Sequence, residues 1–140
     1  MCLSPGHKTV KNILARKAFT VSMADAAHVV ECDYVGVESA NRVPDKLAKA
    51  GLHVTRSRHV DAPLIDELPV AMECELIKFN EDGNIIGRIV NVSVDESVLT
   101  ADGKVDAAKL RPISYDPCGG TYLELRGVVG HAFSDGNRLK

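Results

Sequence analysis

The stretch from Leu68 to Val94, LPVAMECELIKFNEDGNIIGRIVNVSV, constrains the fold more than any other part of the chain. Val70, Met72, Cys74 and Leu76 alternate with Ala71, Glu73 and Glu75, and Val90, Val92 and Val94 alternate with Asn91 and Ser93. A period of two is that of a half-buried strand. Between the two runs lies Glu81-Asp82-Gly83-Asn84, and Asp-Gly tolerates the positive φ that a tight turn requires. The pattern predicts one antiparallel hairpin whose strands exceed the usual five or six residues. Such strands curl, and they share their buried face with several other elements. The hairpin is expected to form the back wall of a small barrel.

The remaining elements are shorter. Met1-Cys2-Leu3 has the character of a strand end, and Val10, Ile13 and Leu14 mark a helix that Ser4 or Thr9 could cap and Lys17 closes. Ala18 to Met23 alternates as a strand. Ala24 to Tyr34 suits a helix with Asp25 in its first turn, and Pro44 to Ala50 a second one, begun by proline and stopped by Gly51. A weak strand follows near Leu52 to Arg56, and Val60 to Ile65 is expected to be a linker into the hairpin. Beyond the hairpin come a turn at Asp102-Gly103, a helical segment from Val105 to Leu110, and a strand from Thr121 to Leu125 between glycine-rich loops.

With 140 residues, 45% of them hydrophobic and 26% charged, the chain has the composition of one globular domain. No apolar run approaches the roughly 20 residues of a membrane helix. The formal charge of −2 lacks the basic excess expected of a nucleic-acid binder. Four dispersed cysteines without a CxxC pair, and no signal-like start, fit a reduced, cytoplasmic protein. Cys74 and Cys32 are expected to be small buried hydrophobes.

Two places are suited to an anion. Ser4-Pro5-Gly6-His7-Lys8-Thr9 brings hydroxyls, two basic side chains and backbone amides to a helix start, where partial positive charge favours a phosphate. An ordinary helix cap with solvated basic neighbours accounts for the same residues. Ser39-Ala40-Asn41-Arg42 precedes a helix with Lys46 in its first turn, where a cation opposes the helix dipole. Either a bound phosphate or neighbouring Asp45 could offset it.

Other constellations are weaker. The five histidines have no metal-ligand spacing, and no GxSxG elbow supports a hydrolase. Glu73 and Glu75 on one strand face are a possible acid–base pair, but an outward, solvated face is the simpler expectation. Tyr115 and Tyr122 flank a glycine-rich loop, where they could cover a barrel end or lie beside an aromatic ligand.

Taken together, several segments resemble the flavin reductase-like, FMN-binding split-barrel family, in particular its flavoredoxin-like branch. They are Ser4 to Thr9 with Asn12-Ile13, Ala18-Phe19-Thr20-Val21, Asp33-Tyr34-Val35-Gly36 running into Ser39-Ala40-Asn41 and Lys46, and Val60-Asp61-Ala62-Pro63-Leu64. Leu68-Pro69-Val70 with Glu73-Cys74, Gly87 to Val94, and Lys109-Leu110-Arg111-Pro112-Ile113 complete the series. The resemblance implies an α+β, mainly β protein: an antiparallel split β-barrel with short helices, one domain over residues 1–140. Family members carry further strands ahead of the segment matching Cys2 to Ser4, so the expected domain is N-terminally shortened.

FMN is the cofactor the resemblance implies. Ser4, His7, Lys8, Thr9 and Asn12 would form one side of its phosphate pocket, and Ser39, Ala40, Asn41 and Lys46 the other. The implied activity is an NAD(P)H-dependent flavin reductase in a homodimer, with the flavin carrying the chemistry and no side chain needed as acid or base. The alternatives are an FMN-binding electron carrier without nicotinamide turnover, and a shortened barrel that binds no flavin.

Overall fold

A computed structural model describes residues 1–140. In chain order its elements are α1 (Lys8–Arg16), β1 (Ala18–Ser22), α2 (Val29–Val37), α3 (Lys46–Lys49), β2 (Val54–Arg56), β3 (Pro63–Ile65), β4 (Val70–Phe79), β5 (Ile85–Val94), α4 (Ala107–Leu110), β6 (Ile113–Asp116) and β7 (Thr121–Glu124). Short 3₁₀ turns lie at Glu96–Val98 and Asp135–Leu139.

The long hairpin forms as its alternation predicts. Strands β4 and β5 pair antiparallel, with register shifts at Glu73/Cys74 and Leu76/Lys78 that help them curl. Strand β1 pairs on the other side of β4, giving the order β1-β4-β5, while β2-β3 and β6-β7 form separate two-stranded ladders. Two of these strands lack a sequence signal. Pro63–Ile65, expected to be part of a linker, is strand β3, and β6 is the partner of the predicted β7.

Helix α1 lies over the sheet, and Val10 and Ile13, one turn apart, meet Phe19, Cys74 and Ile85 in the main core. Fully burying a side chain of this size contributes about 1.5–3 kcal/mol. Lys17 ends the helix in the left-handed region at φ 56°, its amide donating to the Ile13 carbonyl at 2.8 Å. The expected Ser4 or Thr9 cap is absent: His7 is the N-cap residue, and it makes no side-chain cap bond.

Helix α2 begins at Val29, later than the expected Ala24. Asp25 accounts for the delay, because its carboxylate accepts the amides of Ala27 and His28 and contacts His28 Nδ1 at 2.9 Å, closing a turn first. The residues on either side are tied to the β6 region instead, with the Ala26 amide donating to Arg111 O and the Ile113 amide to Ala24 O. Helix α3 likewise starts at Lys46, two residues after Pro44, and Gly51 ends it at φ 70°.

The polar face of β4 is the main departure from expectation. Glu73 does not face solvent; it is 1% exposed and Ala71 is also buried. The segment from Ser57 to Pro63 covers that face: Ala18, Val60 and Ala62 form a second small core, and Thr20 Oγ1 donates to the Pro63 carbonyl. Alternation marked two faces correctly but not that both would be covered. Glu75 remains exposed.

Residues 1–3 run antiparallel to the start of β5. Ile85 N donates to Met1 O at 2.7 Å and Leu3 N to Gly83 O at 2.9 Å. Gly83 has φ +78°, and a Cβ there would stand 2.7 Å from the Leu3 carbonyl oxygen. Gly83→Ala therefore combines left-handed strain with a backbone clash, and we expect a stability loss of about 1–3 kcal/mol in urea unfolding. Hydrogen exchange at the Leu3 amide should rise with it. Unchanged exchange and stability would show that the turn and residues 1–3 are not coupled.

Candidate functional site

Helix α1 is nine residues long and is anchored by Val10 and Ile13, so the position of its N-terminus is fixed. The amides of its first turn have no intrahelical acceptor, which is general for helix starts. No acidic residue lies in that turn and no side chain caps it. Ser4, His7, Lys8, Thr9 and Asn12 are all exposed around this end, with Asn12 one turn beyond Lys8 on the same face. Uncapped amides, a lysine and hydroxyls with no carboxylate among them form a donor set suited to a phosphate dianion.

The second loop touches the first. Asn41 Nδ2 donates to the Gly6 carbonyl at 3.0 Å, bridging segments far apart in the chain. Within the loop, Ser39 Oγ accepts the Asn41 amide at 3.2 Å, holding the residues around Ala40 in a tight turn. Six of the residues singled out in the sequence, Ser4, His7, Lys8, Thr9, Ser39 and Asn41, thus belong to two segments joined at one point, with Asn12 and Ala40 adjoining them.

Lys46 has a different position. Its Nζ donates to the carbonyls of Val35 at 2.5 Å and Glu38 at 2.8 Å. These lie at the C-terminal end of α2, the negative end of a helix dipole, so they offset the lysine that α3 places awkwardly at its own start. Asp45, the other candidate partner, pairs with Lys49 at 3.2 Å. Lys46 therefore closes the ends of the Ser39–Asp45 connection and fixes the loop behind the anion side chains.

Sequence patterns missed three further contacts. Tyr115 and Tyr122 are direct cross-strand partners, with ring centroids 5.8 Å apart and planes tilted by 56°. Tyr122 Oη donates to Asp33 Oδ1 at 2.7 Å, which docks the β6-β7 ladder on α2 roughly 7 Å of helix before the Ser39 loop. That bond to a carboxylate raises the phenol pKa. The third is the buried network around Glu73, where Ser57 Oγ, Asn91 Nδ2 and Ser93 Oγ all donate to its carboxylate. The polar pair Asn91 and Ser93 beside Glu73 in the hairpin register was the available signal. Cys74 is buried and Cys32 partly so, and burial pushes both thiols up, which makes them inert packing groups.

A family model, "Flavin reductase like domain", matches residues 1–112. The chain is 34% identical over 108 residues to an uncharacterized protein of Aquifex aeolicus (strain VF5), covering 75% of this chain and 55% of that protein. The chain spans about half the length of the curated relatives it matches. Among solved structures, the flavoredoxin of Desulfovibrio vulgaris (Miyazaki F) is 38% identical, with a TM-score of 0.91 over 96% of this chain and 73% of that one. An FMN-binding domain of a flavin reductases-like enzyme from Shewanella baltica OS155 superposes with a TM-score of 0.77, at 20% identity over 94% of this chain and 72% of that one. At that identity the likeness speaks for the fold alone. The antiparallel sheets with short helices are the split barrel expected from the sequence. No helix is long and apolar enough to cross a membrane.

Proposed function

The chain belongs to the flavin reductase-like domain family, and from that premise we propose that it is an FMN-binding oxidoreductase that takes reducing equivalents from NADH or NADPH. The observation that supports the site is the Asn41 to Gly6 bond, which joins the two loops. In this reading Ser4, His7, Lys8, Thr9 and Asn12 hold one side of the FMN phosphate, and Ser39, Ala40 and Asn41 the other. Lys46 contributes by fixing the loop, through its bonds to the α2 carbonyls.

When bound, FMN would supply the hydride chemistry between the reduced nicotinamide and an electron acceptor. The chain's residues bind and orient. The phosphate seat fixes one end of the ligand, and no side chain is assigned as acid or base. We also propose a homodimeric, cytoplasmic protein with a single domain over residues 1–140.

The test is a rate comparison. Oxidation of NADH or NADPH, followed at 340 nm, should run faster with FMN-loaded protein and an acceptor than with the same concentration of free FMN. Equal rates with flavin still bound would assign the chain to electron carriage, a reading that the flavoredoxin similarity also favours.

A further inference from the structure

The segment that covers the polar face of β4 carries cations outward on a firmly held loop. Ser57 Oγ accepts the amides of His59 and Val60, both at 2.9 Å, so its own proton is committed to the Glu73 carboxylate. The Ser57 amide donates to Ala62 O at 3.0 Å, and Val60 and Ala62 are buried. Ser57 and Glu73, 7% and 1% exposed, therefore fix the loop from beneath. Arg56, Arg58 and His59 stay exposed on it.

A cavity of about 390 Å³ lies between this loop and the end of α1, with Arg16, Lys17, His59, Asp61 and Glu75 in its wall. Its charges are not balanced pair by pair. Arg16 Nη1 donates to Asp61 Oδ2 at 2.7 Å and Arg56 Nη2 to Asp61 Oδ1 at 3.3 Å, so two guanidiniums share one carboxylate. Each guanidinium has five N–H donors, and those not spent on Asp61 remain for a second anion. Lys17, Arg58 and His59 have no acidic partner within ion-pair distance. Glu75 has Arg88 as its direct cross-strand neighbour. The negative end of the α1 dipole accounts for Arg16 and Lys17, but not for the cations on the facing loop.

We propose that this cavity seats a phosphate monoester, the 2′-phosphate of NADPH, and makes the chain select NADPH over NADH. The inference rests on the nicotinamide reading above and names the coenzyme used. Arginine grips phosphate oxygens through paired N–H groups, and in dinucleotide sites an arginine at this phosphate accommodates the phosphorylated coenzyme. The 2′-phosphate is the one group by which NADPH differs from NADH. The cavity is also within reach of the flavin. Helix α1 separates it by roughly 12 Å from the phosphate seat at the other end of the helix, less than the length of a dinucleotide. A loop already fixed by buried Ser57 and Glu73 loses little freedom on binding, which favours affinity.

Steady-state oxidation of both coenzymes by the FMN-loaded full chain tests this, alongside calorimetric titration of adenosine 2′,5′-bisphosphate and adenosine 5′-monophosphate. The wild type should show a kcat/KM at least about tenfold higher for NADPH, and should bind the bisphosphate at least about tenfold more tightly than the monophosphate. The double variant R16Q/R56Q should lower both preferences at least about fivefold, through the KM for NADPH, with far-UV circular dichroism unchanged. Asp61→Asn releases both guanidiniums and should tighten the bisphosphate by about threefold. Weaker bisphosphate binding in both variants would make the trio a structural tie and overturn the inference. Equal use of the two coenzymes, or inorganic phosphate bound as tightly as the bisphosphate, would overturn it and leave the flavin reductase reading standing. Oxidation of neither coenzyme above the free-flavin rate would overturn both.

Discussion

Replacing Glu73 by alanine is expected to destabilise the fold by about 3–5 kcal/mol, a large share of the stability of a typical domain. Three donors converge on this carboxylate: Ser57 Oγ, Asn91 Nδ2 at 2.6 Å and Ser93 Oγ at 2.8 Å. Ser57 Oγ in turn accepts the amides of His59 and Val60, both at 2.9 Å. One buried charge therefore joins β4, β5 and the loop that covers them. Hydrogen bonds to charged groups contribute about 1.5–3 kcal/mol each, and alanine leaves all three donors without their acceptor. Glu73→Gln keeps the shape but turns an amide NH₂ toward donors, so about 1–3 kcal/mol should be lost. Urea unfolding gives both numbers. A loss below about 1 kcal/mol for alanine would mean that water replaces the carboxylate and that the network is incidental.

The same network sets an acid dependence. Burial alone would raise the Glu73 pKa, but the bonds from Ser57, Asn91 and Ser93, with the nearby His59 charge, outweigh it and hold the carboxyl below its ordinary 4.5. A group with a depressed folded pKa binds its proton more readily when unfolded. Its stabilisation is therefore complete above the ordinary value and is lost as pH falls through the folded one. Glu73→Gln should flatten the loss of stability below pH 4.5. Asp61 and Glu124 are also depressed by arginine partners, but these pairs are exposed, and solvent and salt screen them.

The second large effect concerns ligand discrimination. On the proposed reading, Lys8→Glu should weaken FMN binding roughly 10- to 100-fold, the value of one charge-assisted bond to phosphate, before any added repulsion. Riboflavin, which lacks the phosphate, should change by less than about twofold. Lys46→Met should behave differently. Its ammonium is committed to Val35 and Glu38 carbonyls, so losing it loosens the Ser39–Asp45 connection and weakens both flavins together. Fluorescence quenching titrations of the two flavins against each variant separate the cases. If Lys8→Glu weakened both flavins equally, the α1 start would be a structural element and the phosphate seat would lie elsewhere.

Much of this architecture was legible in the residues, and the exceptions have physical causes. The β4-β5 hairpin could be read because ten-residue strands give enough alternation, and Asp82-Gly83 supplies the positive φ. Helix α1 could be read from Val10 and Ile13. Helix α2 was misplaced at its start because a carboxylate, Asp25, closed a turn where propensity alone favoured helix. The strands β3 and β6 exist because β2 and β7 pair with them, and that pairing leaves no mark in their own residues. Both anion loops were visible as local composition; their junction through Asn41 and Gly6 was not, since it joins segments 35 residues apart in the chain. Lys46 shows the limit most clearly. Its unfavourable place at a helix start was evident, whereas the carbonyls that stabilise it lie on another helix.

The proposed function stands or falls on the phosphate seat, and the most direct measurement is a parallel titration of FMN and riboflavin into the unmodified chain, following flavin fluorescence. The joined loops predict saturable quenching at one FMN per chain, with FMN bound at least about tenfold more tightly than riboflavin. Equal affinity for the two flavins, or no quenching by FMN, would contradict the assignment of these loops to the cofactor phosphate.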